Sequence, residues 1–118
     1  MAGCCHVLVW GQCDIAGEVR GITHGQMADV VYDGVGRATF EASVDSLRTR
    51  GTMVSFGASS GVPDPVALGL LNKKSLFLTR PGLAAHITDI DEYRQRSRDV
   101  FKAIESGIVW CRSMMRGR

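Results

Sequence analysis

The 118-residue chain lacks most of the signatures that assign a protein quickly. No apolar run approaches the ~20 residues a helix needs to cross a bilayer, so no membrane span is expected. The start, M-A-G-C-C-H, has no basic stretch leading into a long apolar core. No secretory leader is therefore expected, and a cytoplasmic location follows. Cys4, Cys5 and Cys13 crowd beside His6, yet no spaced C-x-x-C pair with a second pair further on is present. That argues against metal and for free thiols, Cys111 included. Ser55, Ser59 and Ser60 lack a G-x-S-x-G elbow, and no Ser-His-Asp constellation is apparent, so no catalytic residue is assigned. Gly11 and Gly17 follow an apolar run but stand too far apart for a G-x-G-x-x-G phosphate turn. The formal charge of +2 is too small to argue for nucleic acid by itself.

Glycine, by contrast, is plentiful: 14 residues, about twice the ~7% background, which suits many tight turns. The informative stretch is residues 29–57. Val30, Val31 and Tyr32 form a β-prone run that stops at Asp33-Gly34-Val35-Gly36. Phe40, Val44 and Leu47 then recur at helical spacing. Arg48 and Arg50 at the helix end would complement its dipole, with Gly51 as a left-handed cap. Thr52 to Phe56 reads as a second strand closed by Gly57. Two strands joined by a helix predict parallel pairing with a right-handed crossover, so both end on one edge of the sheet. That edge is where open α/β sheets bind ligands. Asp33 there would bind a ligand, cap the next helix or bind the turn's own backbone.

Elsewhere, residues 5–11 read as a buried strand, with a short helix following through Val19 and Ile22. Residues 58–65 form a breaker-rich loop, either a ligand loop or plain surface. A short helix is expected over 66–72, with Lys73 and Lys74 at its end complementing the dipole. Residues 75–79 give a third strand, stopped by Arg80-Pro81-Gly82. Arg80 would bind an anion, form a salt bridge or project from an interface. The clearest helix runs over 89–106, with a capping box of Asp89 and Glu92, an apolar face of Tyr93, Val100, Phe101 and Ile104, and a stop at Gly107. Arg94, Arg96 and Arg98 occupy its remaining surface, and Arg112, Arg116 and Arg118 follow. A solvated face and a nucleic-acid footprint both fit that row. Residues 108–111 would start a last strand.

Four segments in order carry a resemblance: V-V-Y-D-G-V-G-R at 30–37, M-V-S-F-G at 53–57, L-G-L-L-N at 68–72 and F-L-T-R-P at 77–81. Together they resemble the cofactor domain of NADPH-dependent quinone reductases, the zeta-crystallin-like branch of the medium-chain dehydrogenase/reductase family. The resemblance implies an α/β fold, a partial Rossmann-like parallel sheet made of family strands four to six with their helices. It covers about residues 19–109, the C-terminal half of an NAD(P)-binding domain, between a divergent segment at 1–18 and a basic tail at 110–118. It implies hydride transfer from NADPH to a quinone in the full-length family. Gly34, Val35 and Gly36 would lie near the nicotinamide, Phe56, Gly57 and Ala58 would line the cleft, and Thr79 and Arg80 would sit towards the substrate. The branch is zinc-free and pairs through its sixth strand, here Leu76, Phe77, Leu78 and Thr79, into a homodimer. Ala58 stands where the family usually has Asn, and the usual N-Q-K-G-S turn is shortened to Asn72-Lys73-Lys74-Ser75. The glycine fingerprint and the catalytic domain are missing, so the chain reads as a fragment that is inactive alone. A non-catalytic dimerising module is the other reading, and nucleic-acid binding a weaker one.

Overall fold

Three parallel strands organise residues 6–81: β1 (Ala28–Asp33), β2 (Leu47–Ser55) and β3 (Phe77–Thr79), in the order β1-β2-β3. The computed structural model describes residues 3–109 and divides the chain into two units. One is this sheet with its helices, α1 (Ile15–Ile22), α2 (Phe40–Asp45) and α3 (Leu68–Asn72). The other, over its described residues 3–5 and 82–109, holds α4 (Leu83–His86) and α5 (Ile90–Glu105).

The register explains which side chains are inside. Val31 pairs with Met53, and Met53 with Leu78, so the three form a row on one face. Met53 and Leu47 are fully enclosed there, packed with Val44 of α2 and Leu76 ahead of β3. Phe40, Leu70 and Leu71 close over them from the helices. Each enclosed side chain contributes about 1.5–3 kcal/mol from burial. On the opposite face, Val30, Thr52 and Phe77 form one row and Tyr32, Val54 and Thr79 the next. Tyr32 is 73% exposed and Phe77 62%.

Three readings of the sequence need correction. The helix after Gly36 stops at Asp45, and Arg48 and Arg50 belong to the start of β2. Ala28 pairs with Leu47 but Val30 with Thr52, so residues 48–51 arch out of the ladder as a wide bulge. Gly51 is therefore not a helix cap. Arg50 holds the left-handed conformation (φ 62°), while a Cβ on Gly51 would meet the Arg48 carbonyl at 2.9 Å. Secondly, residues 5–11 form no strand; Val7, Val9 and Trp10 are exposed, and only an isolated bridge joins Trp10 to Cys13. An apolar run supplies no partner strand by itself, and its backbone contacts are local, such as the Gln12 N–H to the Val9 carbonyl. The helix expected over 89–106 forms as α5, with Tyr93, Val100, Phe101 and Ile104 exposed. Thirdly, Ile108 and Val109 are not in a strand, and the rest of that segment, with Cys111 and the basic tail, lies outside the described residues. The cap of α5 is as expected, the Asp89 carboxylate accepting from the Asp91 and Glu92 N–H groups.

Candidate functional site

Parallel pairing brings the carboxyl ends of the strands together, and with them every residue singled out as a site candidate. β1 ends in Asp33 and leads into Gly34, Val35 and Gly36. β2 ends in Ser55 and leads into Phe56, Gly57 and Ala58. β3 ends in Thr79 and leads into Arg80.

Asp33 holds this edge in shape. It is 4% exposed and accepts from the Val35 N–H (2.8 Å), the Gly36 N–H (2.9 Å), the Thr39 hydroxyl (2.8 and 3.0 Å) and the Ser43 hydroxyl (2.7 Å). Burial by itself would raise its pKa. The bonds from Gly36, Ser43, Thr39 and Val35 outweigh that and hold the carboxyl below its ordinary range. Of the roles open from the sequence, Asp33 takes that of binding its own turn and the following helix. Thr39 and Ser43 went unnoticed in sequence, though hydroxyls at fixed offsets after a strand-ending Asp are a legible signal.

The glycines bring two loops into backbone contact. A Cβ on Gly57 would meet the Gly34 carbonyl oxygen at 2.6 Å, and one on Gly36 (φ 93°) the Gly61 carbonyl oxygen at 2.5 Å. A Cβ on Gly34 would meet the Phe56 ring at 2.8 Å. Hydrogen bonds then zip the loops together. The Arg37 N–H donates to the Gly61 carbonyl, the Ser60 N–H to the Val35 carbonyl and the Arg37 Nε to the Val62 carbonyl. Ser60 adds two more through its hydroxyl, giving to the Val35 carbonyl (2.7 Å) and accepting from the Ala38 N–H (3.0 Å). Ser60 is thus a structural bridge between loops.

Around this rigid seam the edge is open. Phe56 is 59% exposed, Val35 projects beside it, and the Arg80 guanidinium donates to the Ser55 hydroxyl at 3.2 Å. Exposed apolar side chains beside a tethered cation suit a flat, partly charged ligand. Among the described residues no three His, Cys, Asp or Glu side chains converge to hold an ion. Cys4, Cys5 and Cys13 are free. Two of the three arginines on α5 are ion-paired, while Arg98 donates to the Arg94 carbonyl. Arg94 pairs with Asp91 at 3.7 Å, and Arg96 with Glu92 and the His86 carbonyl. No described helix is long and apolar enough to cross a membrane.

The family model described as zinc-binding dehydrogenase matches residues 2–99. The chain belongs to that family. The match begins ahead of residue 19 and so takes in the N-terminal segment as well as the sheet. Quinone oxidoreductase 1 of Escherichia coli is 45% identical over 109 residues, 92% of this chain and 33% of that protein. A 2-haloacrylate reductase from Burkholderia is 38% identical over 109 residues, 91% of this chain and 33% of its own length. Among solved structures, a mycobacterial protein in complex with NADPH superposes with a TM-score of 0.88 at 40% identity, covering 93% of this chain and 35% of that one. The E. coli quinone oxidoreductase complexed with NADPH gives 0.84 at 45% identity, covering 88% of this chain and 32% of the other. The parallel sheet is thus part of a Rossmann-like fold, and the chain spans about a third of the length of the curated relatives it matches. The metal in the family's description finds no donor set among the described residues of this zinc-binding dehydrogenase member.

Proposed function

We propose that this chain supplies the nicotinamide side of an NADPH site in a quinone reductase, with residues 19–109 as the C-terminal half of the cofactor domain. The seam between residues 34–37 and 57–62 carries the reading. It holds Val35, Phe56 and Ala58 at one open edge, to which the end of β3 adds Thr79 and Arg80, in a chain that superposes on two NADPH complexes. These residues fit the cofactor: Phe56 and Val35 offer apolar surface to a ring, and Arg80 and Thr79 offer polar groups beside it. Bound there, the cofactor would supply the hydride and a quinone would accept it. The protein's part is to orient the ring and exclude water. No G-x-G-x-x-G turn for the pyrophosphate is present in the sequence, so the chain alone is expected to bind NADPH weakly and not to turn over.

Titrating the full chain with NADPH and following nicotinamide fluorescence tests the first part. Weak saturable binding, lost in Arg80→Ala, is expected; binding that ignores Arg80 and Phe56 sinks the site. NADPH oxidation with a quinone at an ordinary enzyme rate would overturn the expectation of inactivity.

Among the described residues the outer strand β3 has one unpaired edge and an exposed Phe77, which supports a homodimer formed by strand addition. Sedimentation should then show a dimer that Phe77→Lys converts to monomer. A monomeric parent, or a dimer indifferent to Phe77→Lys, removes this reading.

A further inference from the structure

The amino ends of the strands, opposite the edge described so far, carry an unusual concentration of positive charge. A cavity of about 430 Å³ there is lined by Arg20, Gly25, Gln26, Met27, Leu47, Arg48, Thr49, Arg50 and Lys74. Four of those nine residues are cationic and none is a carboxylate, in a chain whose whole formal charge is +2.

Two of the four are already engaged. Arg48 pairs with Asp29 beside the cavity and donates to the Thr49 carbonyl. The Lys74 ammonium donates to the Asp45 and Leu47 carbonyls at 3.1 Å each, so it is held in place with its charge unneutralised. The guanidinium groups of Arg20 and Arg50 have no hydrogen-bond or ion-pair partner among the described residues. Arg20 comes from the last turn of α1 and Arg50 from the arch of β2, so separate elements converge on one concavity.

Backbone conformation points to the same place. Four described non-glycine residues have positive φ: His24 (52°), Met27 (63°), Arg50 (62°) and Ser75 (50°). All four lie in the turns that enter β1 and β3 or in the arch of β2, and Met27 and Arg50 line the cavity. Strained residues outside glycine collect where a fold holds side chains for a ligand. Arg50 makes the case most directly, because glycine follows it in the chain and would take the left-handed position without strain. The Arg50 N–H is fixed by the Lys74 carbonyl at 2.7 Å, which ties the arch to the turn that carries Lys74.

We propose that this cavity binds a small phosphate-bearing anion, held by the forks of Arg20 and Arg50 over the Lys74 ammonium. Arginine forks match phosphate oxygens with paired hydrogen bonds, and an open concavity of about 430 Å³ leaves room for a small anion. The site is separate from the cofactor edge and does not depend on it.

Inorganic pyrophosphate is the probe. Titration of the full chain, followed by calorimetry and by the arginine side-chain NMR signals, should give saturable binding that shifts Arg20 and Arg50. Arg20→Gln and Arg50→Gln should each weaken it about tenfold, the effect of one charge-assisted contact. Arg50→Lys should lose less, and Lys73→Gln, outside the cavity, should change nothing. If Arg50→Gln fails to fold, Arg20→Gln decides alone. Phosphatidic-acid vesicles that compete with pyrophosphate would identify a lipid headgroup as the source of the phosphate. Pyrophosphate acting no differently from chloride at equal ionic strength, or binding unmoved in Arg20→Gln, overturns the proposal.

Discussion

Asp33→Ala should destabilise the protein by about 3 kcal/mol or more, because hydrogen bonds to a buried charge are worth about 1.5–3 kcal/mol each and are only partly additive. The change strands two backbone N–H groups, of Val35 and Gly36, and two hydroxyls, of Thr39 and Ser43, around an empty position. Urea unfolding followed by circular dichroism measures it, against a total stability of about 5–15 kcal/mol for a typical domain. Asp33→Asn keeps an acceptor for the N–H groups and should cost less. The pH dependence separates charge from shape. Asp33 titrates below its unfolded value, so its ionised form adds stability above about pH 4, near the unfolded carboxylate pKa. That stability is lost as pH falls through the lowered folded value. In Asp33→Asn this part of the acid slope should disappear. Identical acid profiles for the two proteins would show that the carboxylate charge is not what holds the turn.

Gly36→Ala is expected to cost about 2–4 kcal/mol, combining left-handed strain on a new Cβ with overpacking against backbone. The added carbon would sit 2.5 Å from the Gly61 carbonyl oxygen and 3.0 Å from the Ala58 Cα, neither of which can swing aside as a side-chain tip can. The loops must separate, which breaks the Arg37 N–H and Ser60 bonds across the seam and moves Ala58. NADPH binding should fall with stability. Gly69→Ala is the control: nothing lies within 4 Å of its Cβ position, and in the helix α3 alanine should stabilise by about 0.5–1 kcal/mol. If the two substitutions behave alike in urea, the seam is looser than its distances imply.

What could be read from the sequence was what local chemistry determines. The strand stopping at Asp33, the parallel partner ending just ahead of Gly57, the third strand and the Asp89 cap all follow from short-range pattern. The convergence of Gly34, Phe56 and Arg80 on one edge also followed, since parallel strands connected by helices leave no other place for them. The arch at residues 48–51 did not, because Arg48 and Arg50 suit a helix end as well as a strand start, and only pairing with β1 decides between them. The role of Asp33 stayed open for a similar reason. Its partners Thr39 and Ser43 lie at the cap of α2 and one turn into it, and the turn had to close before they could face it. Residues 5–11 misled because apolar composition shows a wish for burial and says nothing about a neighbour to pair with. Membership of the family came through linked motifs, which no single residue carries.

The central position of β2 has a consequence for motion. It alone is laddered on both sides, to β1 through Val30–Asp33 positions and to β3 through Thr52, Met53 and Val54. Its middle amides should therefore be the last in the protein to trade hydrogen for deuterium, opening only when the whole unit unfolds, while those of β3 and the loops exchange through local fraying. The edge on which a ligand would rest is thus built at the end of the most slowly opening segment of the chain.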